Sequence, residues 1–252
     1  MLRARRHAEI MRLLREGGPT PVGDLVQALG VSAATVRRDL ADLGVQGALQ
    51  RVRGGAQPAG HVDDRHPFGQ VATVDVVDKE AVAERAASLV SDGHVLLLDI
   101  GTTVVCLARR LRGRKVTVIT SSLAVLDVLR DDPVVDLVLL GGLLRHSYLS
   151  LVGLLTETAL GQVRANMAFL GTSGVHPHGE VLDSTQVEVP VKRAMMSAAE
   201  RTILLADRHK FPGTGALKVC HVADLDTVVT NEGVDKAALE PLTVHGVEVL
   251  FG

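Results

Sequence analysis

The residues of this chain best suited to binding chemistry are small and polar, and they directly follow a short apolar run. The run 95–98 leads into Asp99-Ile100-Gly101-Thr102-Thr103, where the glycine permits a tight turn and two threonines begin a helical pattern. Threonine hydroxyls and the free amides of a helix N-terminus can together hold an anion such as a phosphate group. The turn alone is not specific, because threonine also begins many helices that bind nothing.

Four later apolar runs end in residues of the same kind. They offer hydroxyls, bare backbone and basic side chains in Thr120-Ser121-Ser122, Gly141-Gly142, Gly171-Thr172-Ser173-Gly174 and Asp207-Arg208-His209-Lys210. In a parallel sheet the carboxyl ends of the strands meet at one edge, and open α/β sheets bind their ligands there. The sequence therefore predicts one crevice suited to a hydroxylated anion.

Beyond about residue 75, apolar runs alternate with helical patterns. The predicted strands are 95–98, 116–120, 134–140, 168–170, 203–206, 228–230 and 247–251. The predicted helices lie at about 78–91, 103–112, 122–131, 154–163, 186–200 and 234–240. Continuous apolar runs are typical of strands buried on both faces, and the alternation predicts a Rossmann-like α/β domain with a largely parallel sheet.

The first residues of the chain show three helical patterns in succession. One helix is predicted to end near Glu16, a second at Gly30, and a third to run from an N-cap at Ser32 to Gly44. The third helix has a face of small and basic residues, formed by Ala33, Ala34, Thr35, Arg37 and Arg38. Small side chains let a helix approach base edges, and arginine can bind guanine through two hydrogen bonds. This pattern predicts a helix-turn-helix that reads the major groove of duplex DNA.

An alternating stretch, residues 48–56, follows the third helix and is predicted to form a small hairpin wing. Arg51 and Arg53 would then reach the DNA phosphates or the minor groove. An alternative without DNA is a three-helix packing unit in which Arg37 and Arg38 are solvated or paired with Asp39 and Asp42. Residue spacing by itself leaves both interpretations open.

The charge is distributed unevenly along the chain. Residues 1–60 hold nine arginines, no lysine and five acidic residues, a net charge of +4 that leaves −6 for the remainder of a chain of net charge −2. A basic head on an acidic body favours a polyanionic partner for the head. With no Trp and one Tyr, base stacking on single strands is disfavoured, so duplex DNA is expected. No signal-peptide core or membrane-spanning run is present, which predicts a cytoplasmic location.

No metal or cofactor is expected. Cys106 and Cys220 lie far apart in apolar surroundings, which predicts buried, reduced thiols. His176 and His178 lie in a loop with proline and glycine and have no further clustered ligand, so a solvated loop is favoured over a metal site.

Three motifs of the N-terminal region resemble the DeoR family of bacterial regulators: Leu29-Gly30-Val31-Ser32, Thr35-Val36-Arg37-Arg38-Asp39-Leu40 and Arg51-Val52-Arg53-Gly54-Gly55-Ala56. Residues from about 75 to 233 resemble the sensor domain of that family, which is similar in fold to ribose-5-phosphate isomerase. The resemblance implies that Gly101, Thr102 and Thr103 hold a phosphate. It also implies that sugar hydroxyls are bound or positioned by Asp99, Ser121, Lys192, Asp207 and Lys210.

These observations predict a winged helix-turn-helix domain at 1–57, a linker at 58–74 and an α/β effector-binding domain at 75–252. The predicted function is a transcriptional regulator that represses genes of sugar or carbohydrate metabolism. It is expected to bind a double-stranded operator as a homodimer or homotetramer, under the control of a phosphorylated sugar.

The alternative function is a sugar-phosphate isomerase-like enzyme fused to a DNA-binding domain. In that case Asp99, Glu188 or Asp207 would move a proton next to a carbonyl group. A regulator requires only different ligand affinities in two states, whereas an isomerase gains nothing from an arginine-rich recognition helix. We therefore expect no enzymatic activity.

Overall fold

The computed structural model describes residues 3–17, 20–45, 49–52, 55–58 and 67–252. The chain divides into two compact units, Met1–Asp64 and Arg65–Gly252. Part of the predicted linker lies outside the described residues. Two described parts of this segment belong to regular elements: Pro58 ends a strand, and Phe68–Ala72 is a short helix.

The described part of the first unit contains three helices and three short strands. They are α1 (Arg3–Gly17), β1 (Thr20–Pro21), α2 (Val22–Leu29), α3 (Ala33–Val45), β2 (Leu49–Val52) and β3 (Gly55–Pro58). The strands form an antiparallel sheet in the order β1-β3-β2. The predicted helix-turn-helix and its wing are thus both present.

Local sequence determines where the helices of this unit begin and end. Gly30 ends α2 in the left-handed region at φ 65°, and its amide donates to the Val26 carbonyl at 3.0 Å. Ser32 caps α3 by accepting from the Thr35 amide at 3.2 Å. The apolar stripes of the three helices meet in one core that includes the fully buried residues Ile10, Leu25 and Val36.

The second unit is built on a sheet of seven parallel strands. Its order is β15-β14-β12-β9-β4-β5-β6. The strands of the unit are β4 (Val95–Leu98), β5 (Thr117–Thr120), β6 (Asp136–Leu139), β7 (Leu143–Arg145), β8 (Ser150–Val152), β9 (Ala165–Gly171), β10 (Gly174–Val175), β11 (Glu180–Asp183), β12 (Ala199–Leu205), β13 (Leu217–His221), β14 (Thr227–Thr230) and β15 (Glu248–Phe251). Its helices are α4 (Phe68–Ala72), α5 (Val76–Ala87), α6 (Thr102–Arg110), α7 (Leu123–Leu129), α8 (Leu154–Leu160), α9 (Val189–Ala198) and α10 (Lys236–Val244).

Helices cover both faces of the sheet. Side chains alternate between the faces of a strand, so Leu97 of β4 packs in a core with Leu160 and Met195, from α8 and α9. Leu96 and Leu98 point to the other face and pack with residues of α5 and α6. The parallel α/β architecture is as predicted. Among the described residues, no helix is long and apolar enough to cross a membrane.

The sheet departs from expectation at its edges. All predicted strands were expected to be buried on both faces, but every residue of β6 and β15 is at least partly exposed. These two strands end the sheet, so each has only one neighbour in it. Two antiparallel additions were not predicted: the hairpin β7–β8 and the three-stranded sheet β10-β11-β13.

Candidate functional site

The polar face of α3 is available for contact with a partner. Ser32, Ala34, Arg37 and Arg38 are exposed, while Ala33 and Thr35 are partly exposed. The stripe behind this face is buried, since Val36 and Leu40 are 0% and 2% exposed. The helix therefore presents small residues and two guanidinium groups together on its outer surface.

The two carboxylates near this face are bound by cations from α1. Asp39 accepts from Arg6 at 2.5 and 2.9 Å and lies 3.2 Å from His7, and Asp42 accepts from Arg3 at 2.5 Å. The hydrogen bond from Arg6 holds the pKa of Asp39 below its ordinary value. Among the described residues, neither Arg37 nor Arg38 forms an ion pair with these acids, so the alternative that stays open is a packing unit with solvated arginines.

The wing places one of its two predicted DNA contacts on a strand. Arg51 lies on β2 and is paired in register with Ala56 of β3. The neighbouring Gly55 approaches β1 so closely that a Cβ atom there would lie 2.4 Å from the Thr20 carbonyl oxygen. Arg53 lies outside the described residues.

The predicted ligand-binding turns do share one edge of the large sheet. Asp99 follows β4, Ser121 follows β5, Gly171 ends β9 and Asp207 follows β12, all at the carboxyl ends of parallel strands. Gly141 and Gly142 follow β6 at the same edge.

The turn after β4 ends in free amides and free hydroxyls. Gly101 precedes α6 in an extended conformation, and the first helical hydrogen bond runs from the Val105 amide to the Gly101 carbonyl at 3.1 Å. The amides of Thr102, Thr103 and Val104 come before that bond and have no acceptor within the helix. The hydroxyls of Thr102 and Thr103 make no hydrogen bond to any other described residue, although these residues are only 7% and 6% exposed. The turn thus offers donors at a largely water-free position.

A buried lysine links this turn to the adjacent strand. The ammonium group of Lys192, on α9, donates to Asp99 and to the Gly171 carbonyl at 2.9 Å, and it lies 3.4 Å from Asp183. Asp99 also accepts from the Gly171 amide at 2.8 Å. Burial alone would lower the pKa of Lys192, but the carboxylates of Asp99 and Asp183 more than offset this and raise it. Lys192 is therefore a permanent cation at the centre of the site.

Glu188 extends the buried charge network toward the β7–β8 hairpin. It pairs with Arg145 of β7, and the Ser150 hydroxyl of β8 donates to it at 3.4 Å. Burial and the neighbouring Asp183 carboxylate raise the pKa of Glu188 to about 8. The guanidinium of Arg145 in turn lies 5.1 Å from the ring centre of Tyr148. This side of the site is closed by paired groups rather than by open polar surface.

The remaining predicted residues differ in how open they are. Ser121 is 2% exposed, and its hydroxyl makes no hydrogen bond to the described residues. Asp207 is 1% exposed: one carboxylate oxygen accepts from the His209 amide at 3.0 Å, and the other is buried with no hydrogen-bond partner among the described residues. Lys210 is partly exposed in the same short turn. These groups leave unused hydrogen-bonding capacity beside the sheet edge.

Gly142 has a packing role that sequence reasoning missed. A Cβ atom at this position would lie 2.2 Å from the Thr156 hydroxyl, and that hydroxyl donates to the Gly141 carbonyl at 2.8 Å. The close approach of α8 therefore requires glycine here, whether or not a ligand binds.

Comparison with known proteins identifies both units. The C-terminal sensor domain of DeoR matches residues 75–232, and the DeoR-like helix-turn-helix domain matches residues 6–59. The chain belongs to the DeoR family of transcriptional regulators. It is similar to the transcriptional repressor GlcR of Bacillus subtilis, with 32% identity over 99% of this chain and 96% of that protein. It is also similar to the glycerol-3-phosphate regulon repressor of Haemophilus influenzae, with 31% identity over 92% and 91%.

The chain also has matches among solved structures, one of which is an isomerase. The match to ribose 5-phosphate isomerase A of Methanocaldococcus jannaschii covers 52% of each chain, with a TM-score of 0.39 and 21% identity.

Two residues of the buried charge network around Lys192 and Glu188 were not predicted. Asp183 comes from β11 and Arg145 from β7, and neither strand belongs to the parallel sheet. The two cysteines are buried as predicted, and burial raises the pKa of Cys106 to about 11 and that of Cys220 to about 12.

Within the part of the chain that the structure describes, two groups of carboxylates with a histidine lie close enough to share a cation. They are His7 with Asp39 and Asp42, and Asp75 with Asp78 and His209. In each group an arginine already binds a carboxylate, Arg6 on Asp39 and Arg208 on Asp78. At least one carboxylate of each group is therefore paired with a protein cation.

Proposed function

We propose that this DeoR-family protein represses genes of carbohydrate metabolism by binding a double-stranded operator through α3, and that a phosphorylated sugar in the sensor domain changes its affinity for that operator. The observation that carries the proposal is that one chain has both an exposed face with Arg37 and Arg38 and a turn rich in hydrogen-bond donors at the edge of the large sheet. Two relatives that align with nearly the whole chain are themselves named repressors.

The DNA contact is assigned to the outer face of α3. Arg37 and Arg38 are exposed and are free of the acids beside them, because Asp39 and Asp42 are bound to α1. Ala34, exposed between them and the N-cap at Ser32, allows close approach to base edges. Arg51 and Arg53 of the wing would add contacts to the DNA backbone.

The effector is assigned to the carboxyl edge of the sheet. The amides and hydroxyls of Thr102 and Thr103 would bind the phosphate, since a helix N-terminus attracts an anion and the site excludes most water. The unpaired oxygen of Asp207 and the free hydroxyl of Ser121 would accept and donate hydrogen bonds to sugar hydroxyls. Lys210 would add a cation at the rim.

Lys192 and Asp99 would position this site rather than contact the phosphate directly. Their ion pair and the two bonds to Gly171 fix the turns after β4 and β9 against each other. Gly141 and Gly142 would line the effector crevice with backbone groups, since glycine has no side chain.

The protein is proposed to act as a homodimer or homotetramer in the cytoplasm. A single helix-turn-helix reads only a few base pairs, and a two-fold pair doubles the length of the operator. The operators of bacterial regulators lie in the cytoplasm.

Selection of duplexes from a random library with the full-length protein would yield an operator. Thermal unfolding would then be measured with glycerol 3-phosphate, ribose 5-phosphate, glucose 6-phosphate and their unphosphorylated counterparts, because a ligand that binds only the native state raises its stability. We expect at least one phosphorylated compound to raise the melting temperature and shift the operator affinity. No enriched sequence, or no response to any phosphorylated sugar, would contradict the proposal.

The proposal includes no enzymatic activity. Asp99 and Glu188, two of the three acids named for the isomerase alternative, are each bound to a basic side chain. Incubation with ribose 5-phosphate should give no ketose product. Interconversion that is lost in Asp99→Asn would support the enzyme instead.

A further inference from the structure

The last strand of the large sheet carries an apolar surface that the sensor site does not use. We propose that the free edge of β6, with the adjoining leucines of β7 and α8, is the surface through which a second copy of this chain binds. This surface is called the β6 edge below, and its large aliphatic residues are Val134, Val138, Leu139, Leu143, Leu144, Leu149, Leu154 and Leu155.

These aliphatic side chains are unusually exposed for residues beside an edge strand. Leu143, Leu154 and Leu155 are 75%, 78% and 68% exposed, and both faces of β6 are open at Val138 and Leu139. Single exposed apolar residues are common, but a cluster of eight marks an interaction site.

The cluster is continuous in space. The Thr156 hydroxyl donates to the Gly141 carbonyl at 2.8 Å, which holds the start of α8 beside the end of β6. Leu143 pairs in register with Val152 of β8, and Gly153 then leads directly into Leu154. The hairpin and the helix therefore extend the apolar surface of the strand.

The size of the β6 edge fits a subunit interface. The apolar area still exposed to water can be taken as the apolar area of one aliphatic side chain multiplied by its exposed fraction. Over the eight side chains this exposed area is roughly 450 Å². A standard interface buries about 800 Å² on each partner, of which about 60% is apolar. The β6 edge thus supplies about the apolar share that one face of a dimer requires.

The charge and the hydrogen-bonding groups of the β6 edge favour a second copy of this chain as its binding partner. Asp136 is the one charged residue in 134–144, and 149–155 contains none, so the surface offers nothing to nucleic acid or to a charged partner. Among the described strands, β6 pairs with β5 alone, which leaves the backbone groups of its other side available. A two-fold axis would bring the same strand of a second copy against this edge in antiparallel orientation, which pairs those groups and buries both sets of leucines.

The inference rests on the proposed function in one respect: reading of a two-fold operator requires two copies. The β6 edge also adjoins Gly141 and Gly142 of the predicted effector crevice, so a ligand there would lie next to the interface.

Light scattering of the full chain after size exclusion, at about 1–100 μM, tests the surface. Wild type should show twice the mass of one chain, and Leu154→Lys combined with Leu155→Lys should show one, with an unchanged circular dichroism spectrum. Val244→Lys is the matched control, because Val244 is 72% exposed on α10, outside the β6 edge, and should leave the dimer intact. A monomeric wild type, or a double variant that remains dimeric, would overturn the proposal.

Chemical crosslinking keeps the test decisive if the double variant fails to fold. Leu143→Cys should give a covalent dimer with a short bis-maleimide, whereas Val244→Cys should not, and the native Cys106 and Cys220 are buried. Crosslinking at Val244→Cys but not at Leu143→Cys would place the contact elsewhere. Operator binding and sugar-phosphate response by a monomeric wild type would reject the interface and leave the assignments of the operator-binding face and the effector site standing. A dimer that responds to no sugar phosphate would support the interface and reject the proposed effector.

Discussion

The two units place their charged residues in opposite ways. On α3, Arg37 and Arg38 stand exposed to water, whereas Lys192 and Asp99 of the sensor unit are 3% and 1% exposed and are bound to each other. An exposed cation costs the fold little and remains free for a polyanion, but a buried cation is a structural element that shapes a cavity. Substitution of these charged residues should therefore affect DNA binding in the first unit and the free energy of unfolding in the second.

Loss of the buried cation should have the largest effect. Lys192→Met leaves the Asp99 and Asp183 carboxylates buried without their partner, and it should lower the free energy of unfolding by about 3–5 kcal/mol. Urea denaturation followed by circular dichroism measures this. Lys218→Met is the control, since its side chain is 50% exposed and pairs with Glu180 at 3.8 Å; it should cost below about 0.5 kcal/mol. Equal losses would remove the contrast between buried and exposed charges.

Thr102→Val tests whether the cradle binds a phosphate or only begins a helix. The hydroxyl makes no hydrogen bond to the other described residues, so an isosteric methyl group should preserve the fold and the DNA affinity. It should weaken the phosphorylated effector by about 1.5–3 kcal/mol, or roughly 10–150-fold, through loss of a donor to a charged group. Calorimetric titration of the effector identified by thermal shift provides the measurement. Equal affinities for wild type and variant would refute the assignment of Thr102.

Arg37→Ala and Arg38→Ala test the exposed side of the comparison. Each should cost about 1–3 kcal/mol of operator binding if it reads a base, with no change in the free energy of unfolding beyond about 0.5 kcal/mol. Gel-shift titration on the selected operator and on a scrambled duplex separates two outcomes. An equal loss on both duplexes would assign the residue to phosphate contact. Arg130→Ala, on an arginine 59% exposed in the sensor unit, should leave both affinities unchanged.

The pH dependence of stability should be set in part by Glu188. Its pKa is raised in the folded state from an ordinary 4.5 to about 8, so its favourable contribution is complete below pH 4.5 and is lost as the pH rises through 8. For each unit of pH between pH 5 and pH 8, wild type should lose roughly 1 kcal/mol more of its free energy of unfolding than Glu188→Gln. Denaturation across this range checks the slope, with Glu240→Gln on the exposed surface as control. A variant as pH-dependent as wild type would show that Glu188 does not titrate in this window.

The parallel sheet could be predicted from sequence because strands buried on both faces read as apolar runs. Val95–Leu98 was located to the residue, and the other six strands of the sheet were found with shifted ends. The polar turns were predictable for the same reason, since parallel strands end at one edge.

The remaining features depend on tertiary contacts that leave no local pattern. Arg145 and Asp183 reach the site from short antiparallel strands, and no periodicity distinguishes such strands from turns. The exposure of β6 follows from its position at the end of the sheet, and its apolar composition alone predicts a buried strand. Gly142 looked like ligand-binding backbone because only the folded chain brings Thr156 against it.

Coupling between the two units is the central claim, and one titration tests it directly. Fluorescence anisotropy of the selected operator would be measured against wild type and Thr102→Val, each with and without the saturating phosphorylated sugar. We predict that the sugar changes the operator affinity of wild type by about 5–150-fold and leaves that of Thr102→Val nearly unchanged at the same concentration. The operator should change the affinity of wild type for the sugar by the same factor. An operator affinity that does not respond to a sugar shown to bind the sensor unit would contradict the account.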